Sequence, residues 1–306
     1  MNKEVYLEYL NRIGKIPRFL NKYLNVPSLL RLKNIGYFCG MDYASKEVYD
    51  FKELISRYDH SLSVALLTWK FTHDKKATIA ALFHDVATPC FAHVIDYMNK
   101  DYRNQESTEE YTEEIIKNDL ELKRCLRIDK IKYSEICNFK EFSIVDNKRP
   151  KLCADRFDGI ILTGYNWTKS MELDDILRFT DNLCVYKNED NELELGFKDK
   201  DIAIDVLKIS DEIDEICHSS EDNFMMELLA NITRISINDK IIDYKDLYYI
   251  TEVELFEKIK NSENDELLKL LDIFYNVRVS DIPDTVLDVK KRDLNPLCSL
   301  GRVKNI

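Results

Sequence analysis

Apolar residues recur at helical spacing along most of the chain. In residues 1–25, Tyr6, Tyr9, Leu10, Ile13, Ile16, Phe19, Leu20 and Tyr23 predict an amphipathic arm packed on the core and broken at Pro17. A short apolar helix is expected after Pro27, and residues 44–56 read as a polar-faced helix leading to Arg57. Leu62 to Leu67 and Ile79 to Phe83 are apolar throughout and predict buried helices. Ser107 with Glu110 fits a capping box ahead of Tyr111, Ile115 and Ile116. Residues 171–199 read as a short helix and two strands, 185–187 and 192–197, joined by a polar turn. Helices are expected again over 199–219, 223–235, 240–250, 251–261 with Thr251 as N-cap, and 263–276. Beyond 276, Pro283 and Pro296 indicate a strand or an extended arm. The expected fold is all-α with a small β-hairpin elaboration: an N-terminal arm (1–25), a helical core (26–180), the hairpin and C-terminal helices (181–275), and a C-terminal arm (276–306).

Composition agrees with this pattern. Among 306 residues, 45% are hydrophobic and only seven are Gly and six Pro, which suits a compact helical protein. The apolar runs are too short to span a bilayer and the first residues lack a signal-peptide core, so a cytoplasmic location without membrane contact is expected. Eight cysteines without a CxxC spacing read as reduced thiols. A net charge of −12 repels long nucleic acid and leaves a small phosphorylated molecule as the expected partner.

The chemistry concentrates between Arg57 and His93, which hold four of the five histidines. His60 opens one apolar segment, and His84 with Asp85 closes the other. Two neutral imidazoles and a carboxylate at buried helix ends are best satisfied by a divalent cation. The mixed nitrogen and oxygen donors suit Mn, Fe, Mg, Zn or Ni, and the sequence does not choose among them.

Arg57 three residues before His60, the adjacent His84-Asp85 pair, the sequel Pro89, Phe91, His93, and Asp155 in KLCADRFDGI together resemble the HD-domain phosphohydrolases. Leu30-Arg31-Leu32-Lys33, followed by an aromatic turn containing Gly36, is similar to the segment before the first metal histidine in their deoxynucleoside triphosphate triphosphohydrolase branch. The resemblance covers roughly residues 26–275. It implies an all-α HD core, a divalent ion held by His60, His84, Asp85 and Asp155, and hydrolysis of a nucleotide or related small phosphate ester. It further implies that Arg57 and Arg156 hold phosphate, that His93 serves the reacting phosphate or the leaving oxygen, and that Glu106 orients the attacking water. Read without it, Arg57 could pair with Asp59, Glu106 could be one acid of an acidic helix start, and Arg156 could make a surface salt bridge.

The chain departs from the branch pattern at several places. Thr88, Cys90 and Gln105 stand where His, Pro and His are usual, Gly159 replaces a Tyr, and Thr163 an Asp. Asp211, Glu212, Asp214, Glu215, Glu221 and Asp222, with only Lys208 and His218 nearby, stand where basic residues would meet a triphosphate. Besides dNTP triphosphohydrolysis, the sequence therefore leaves open a nucleoside monophosphatase, a cyclic-nucleotide phosphodiesterase, and a catalytically degenerate nucleotide sensor. Homo-oligomers are common in the branch and are an expectation here.

Overall fold

A computed structural model describes residues 3–105 and 107–305. Thirteen α-helices are found among them. They are α1 (Glu4–Ile13), α2 (Pro27–Arg31), α3 (Arg57–Thr72), α4 (Lys75–Leu82), α5 (Val94–Met98), α6 (Thr112–Asn118), α7 (Leu120–Asp129), α8 (Ala154–Asn166), α9 (Leu173–Asn182), α10 (Lys200–Cys217), α11 (Ser220–Asn238), α12 (Glu252–Lys260) and α13 (Asp265–Asn276). Buried apolar side chains from Tyr6 to Val303 form one continuous cluster. No helix among the described residues is long and apolar enough to cross a membrane.

The α3–α4 hairpin lies at the centre. A reciprocal cap starts α3: Asp59 N donates to Ser56 Oγ at 3.3 Å and Ser56 N to Asp59 Oδ2 at 2.8 Å. His73 ends it in the left-handed region (φ 51°), and Asp74 caps α4 by accepting from Lys76 N and Ala77 N. Ten of the sixteen α3 residues are buried, so both faces of this helix are covered. α1, α4 and α8 all pack against it.

Three sequence expectations are corrected. Residues 44–56 contain no α-helix, because their backbone is engaged at long range: Tyr37 N donates to Ile55 O at 2.9 Å, and Glu53 N to Asn166 Oδ1 at 2.7 Å. The Glu53 carboxylate in turn accepts from Val5 N and Tyr6 N, satisfying the first amides of α1. Ser107 does not cap α6. Asp96 Oδ1 accepts its amide at 2.9 Å in a separate 3-10 turn, and α6 begins after Tyr111. Residues 240–250 form only a 3-10 turn at Tyr244–Tyr248.

The fold is mostly α, and its sheet is larger than the expected hairpin. β1 (Leu183–Lys187) and β2 (Leu193–Phe197) pair antiparallel, with Leu183 opposite Phe197. The C-terminal arm then adds β3 (Leu297–Cys298), parallel to β2, and β4 (Gly301–Arg302), antiparallel to β3. Arg302 fixes this addition by donating to both oxygens of the fully buried Glu194 at 3.0 and 2.8 Å, a two-point pairing suited to a planar guanidinium.

Candidate functional site

The α3–α4 hairpin brings His60, on the first turn of α3, against His84, two residues past the end of α4. α8 packs against α3 and contributes Asp155 from its first turn and Asp158 one turn later. His60, His84 and Asp155 meet at the wall of a cavity of about 330 Å³, with Asp158 fully buried behind His60.

Hydrogen bonds fix the outward nitrogens of both rings. His60 Nδ1 lies 2.7 Å from Asp158 Oδ2, and Tyr9 OH donates to the other Asp158 oxygen at 2.7 Å. His84 Nδ1 donates to Ala81 O at 2.7 Å. With each Nδ1 carrying a proton, the two Nε2 atoms are left facing each other at 3.3 Å, and Asp155 Oδ1 lies 2.9 Å from the first and 3.5 Å from the second. The three ligand atoms all lie within 4.8 Å of one another. Two imidazole lone pairs and a carboxylate pointed at one space form a donor set for a divalent ion, and the Asp158–His60 pair is the carboxylate–histidine support such ligands commonly have.

Charge balance agrees. Asp85, Asp155 and Asp158 surround this point with one guanidinium, Arg57, and a divalent ion would supply the missing positive charge. Burial opposes the imidazolium form of His60, but Asp155 and Asp158 outweigh it and lift the ring to about 10. His84 is raised in the same way, with Asp85 and Asp155 overcoming burial. Burial works against the Asp85 carboxylate as well, yet His84 and Arg57 hold it down to about 2.

The other expected residues fall at varied distances from this point. Asp85 stands beside the cluster, 3.7 Å from His84 Nε2 and 3.9 Å from His60 Nε2. Arg57 is buried; it donates to Asp85 Oδ2 at 3.0 Å and to Tyr37 O at 3.2 Å. Its partner is thus Asp85 and not Asp59, which is occupied by the α3 cap and by Lys3. Arg156 lines the cavity but donates to Asn147 Oδ1 and Asn147 O, both at 2.8 Å, and to Asp146, tying down the loop before α8. His93 lines the cavity, its Nδ1 2.9 Å from the buried Asp96. The turn before it holds Phe91 and Ala92 in the left-handed region (φ 65° and 45°), a cost of about 1–3 kcal/mol each. Glu252 Oε1, accepting from Phe91 N at 3.3 Å, and the Phe91 ring packed beneath Gly40 hold that turn. Gly40 has φ 79°, and a Cβ there would stand 2.6 Å from the ring, so the position admits only glycine. Glu106 lies outside the described residues.

Residues 57–144 match the HD domain. HD domains are in general metal-dependent hydrolases, and this segment carries the α3–α4 hairpin with His60, His84 and Asp85. Asp155 and Asp158 lie beyond its end. The chain is also 26% identical over 223 residues to the uncharacterized protein YdhJ of Bacillus subtilis (strain 168). That similarity takes in 71% of this chain and 65% of the relative, so the chain spans less than two thirds of the length of the protein it matches.

Outside the HD segment the cavity has two further walls. One is aromatic: Tyr37, Phe38, Tyr49, Phe51 and Trp167, with Phe38 and Phe51 stacked at 4.0 Å. A Cβ at Gly159 would lie 3.0 Å from Tyr37 OH, so the Tyr37 hydroxyl reaches the space that glycine leaves. The other is basic: Arg149, Lys290 and Arg292, the last two from the C-terminal arm. Sequence reasoning named none of these three.

The acids of 211–222, expected to face a phosphate chain, mostly do not. Asp211, Glu212 and Glu215 are exposed, and only Asp222 lines the cavity, where it accepts from Tyr49 OH at 2.7 Å. Thr88 and Cys90 are fully buried and are not part of the cavity wall.

Proposed function

We propose that the chain is a metal-dependent phosphohydrolase acting on a nucleotide or a related small phosphate ester. The observation that carries this reading is the convergence of His60 Nε2, His84 Nε2 and Asp155 Oδ1 on one point of a cavity. When bound there, a divalent ion would supply Lewis acidity toward a phosphoryl oxygen and toward water.

The chain's own residues would divide the remaining work. His60, His84 and Asp155 would hold the ion, with Asp85 as the fourth donor and second carboxylate. Arg57, which binds Asp85, would keep that carboxylate ionised and aimed. His93, held at Nδ1 by Asp96, would give a proton from its other nitrogen to the leaving oxygen. Arg156, with most of its donors engaged, would position the loop before α8, while Glu106 would orient the attacking water. The aromatic wall supports a nucleoside, since a base offers a flat apolar face to rings such as Phe51 and Trp167.

Within this class we favour a nucleoside di- or triphosphate substrate, including hydrolysis in the manner of dNTP triphosphohydrolases. The basic wall offers the contacts that a phosphate chain requires, and of the six acids between 211 and 222 Asp222 alone lines the cavity. The test is metal content of the purified protein by atomic emission, followed by chromatography of products from a panel of dNTPs, NTPs, nucleoside monophosphates and cyclic nucleotides. Release of nucleoside and inorganic triphosphate would support the fine reading. Release of orthophosphate, or opening of a cyclic ester, would support only the broad one. A chain that holds no metal and turns over nothing would refute both in favour of a nucleotide-binding sensor.

A further inference from the structure

The acids on the cavity wall are already engaged. Asp85 meets Arg57, Asp146 meets Arg156, Asp155 meets the two histidines, Asp222 accepts from Tyr49, and Glu109 pairs with Lys140 at 2.7 Å. Three cations on the same wall have no such match. Arg149 donates from Nη1 to Asp293 O at 3.2 Å, Lys290 Nζ to Asn104 O at 2.7 Å, and Arg292 Nη1 to Lys290 O at 3.3 Å. All three acceptors are backbone carbonyls, and no carboxylate among the described residues lies within 4 Å of any of the three charges.

Like charges gathered together repel one another, and the effect is visible at Lys290, which burial first, and then Arg149 and Arg292, push below its usual value, whereas at Arg292 burial is outweighed by Cys217, Asp222 and Asp214, which raise it. The arm does not bring them together by accident of a loose tail. Its backbone is docked where these residues leave it: Lys290 N donates to Tyr102 O at 2.9 Å, Arg292 N to Asp214 Oδ1 at 2.6 Å, and Asn295 N to Pro150 O at 2.8 Å. β3 and β4 anchor the arm just beyond.

We propose that Arg149, Lys290 and Arg292 form a second anion subsite, completed by the C-terminal arm, which holds a phosphate group of the substrate other than the one presented to His60, His84 and Asp155. This rests on the phosphohydrolase reading for the identity of the ligand, and on geometry alone for the existence of the subsite. It makes the arm part of the active site, although the arm lies far outside the HD segment. A ligand that fills the cavity therefore carries at least two linked phosphates.

The test compares inorganic pyrophosphate with orthophosphate as probes, by calorimetry, without added metal, on the full chain and on an Arg149→Gln/Lys290→Gln double variant. Charge-assisted hydrogen bonds of this kind lead us to expect pyrophosphate affinity to fall about tenfold or more in the variant, and orthophosphate, which without metal has the same three cations to bind, to weaken with it. Pyrophosphate affinity of the parent chain should also fall steeply with added salt. Pyrophosphate binding left unchanged in the variant would overturn the subsite. Circular dichroism checks the fold of the double variant, and Lys290→Gln alone, whose docking bond is made by the backbone, gives a second measurement. Metal content and turnover are read separately: a chain with neither, but with the pyrophosphate loss intact, would refute the phosphohydrolase reading and leave the subsite standing.

Discussion

Asp158→Asn isolates what the fully buried carboxylate behind His60 does. Asp158 accepts from Tyr9 OH and faces His60 Nδ1, each at 2.7 Å. Asparagine keeps the shape and can still accept from Nδ1, so His60 stays aimed, but of the two negative charges that make the ring basic, Asp155 and Asp158, the second is removed. Loss of such a supporting group typically costs 10- to 100-fold in metal affinity, or about 1.4–2.7 kcal/mol. The same charge also holds a proton on the ring. The folded His60 titrates at about 10 against 6.5 in an unfolded chain. In metal-free protein its proton therefore stabilises the fold fully below 6.5, and this contribution is lost as pH rises through about 10. An incoming ion must displace that proton, so the apparent affinity of the parent chain should rise about tenfold per pH unit between roughly 7 and 9. Asp158→Asn should weaken binding at pH 9 and flatten this dependence. Competition between protein and a chelating dye for Mn or Zn, measured from pH 6 to 9, reads both effects, with a melting curve to confirm folding. Parent-like affinity and an unchanged pH slope would refute the assigned role of Asp158.

Three further outcomes are expected. Ser56→Ala removes the hydroxyl that caps α3 and should destabilise the chain by about 1 kcal/mol in urea unfolding; no measurable loss would mean that Asp59 alone holds the first turn. Thr88→Val replaces a buried hydroxyl that has no partner, off the cavity wall, so stability should rise by about 1 kcal/mol or stay level with turnover unaltered; a collapse of turnover would place Thr88 in the chemistry. Glu252 is fully buried, and burial followed by Asp42 raises its carboxyl to about 8. A carboxyl raised in the fold contributes stability that is complete below about 4.5 and lost as pH rises through about 8, so melting temperatures should decline across that window. Glu252→Gln should flatten the decline, and a slope equal to the parent's would show that other groups cause it.

The parts of this site that could be read in the sequence are those whose signal is local. His60 and His84 announce themselves because each breaks an apolar run at its end, where a buried polar group needs a reason. Asp155 was reached only through resemblance, yet it stands in the cluster, while Asp158, one turn along α8 and part of the same resemblance, was given no role by it. Its role depends on Tyr9, which lies 149 positions away. Secondary structure was legible on the same terms. The hairpin strands and the Thr251 cap of α12 are set by adjacent residues and fall where expected. Residues 44–56 do not, because Asn166, Tyr37 and the start of α1 compete for their backbone and side chains.

The basic wall marks the limit of such reading. Arg149, Lys290 and Arg292 are three of 44 basic residues and have no periodicity or spacing to set them apart. Two forces select them, and neither is local. β2 has a free edge, and the arm pairs with it through β3; Glu194, buried beneath the sheet, needs the charge that Arg302 brings. The segment between α13 and that fixed end docks on Tyr102 O and Asp214 through Lys290 N and Arg292 N, and the side chains of these two residues line the cavity. The carboxylates of the cavity wall already have partners in Arg57, Arg156, Lys140, Tyr49 and the two histidines, so Arg149, Lys290 and Arg292 stand on that wall with backbone carbonyls as their hydrogen-bond acceptors. A sheet extension made for stability thus determines the electrostatics of a site built on a different set of helices.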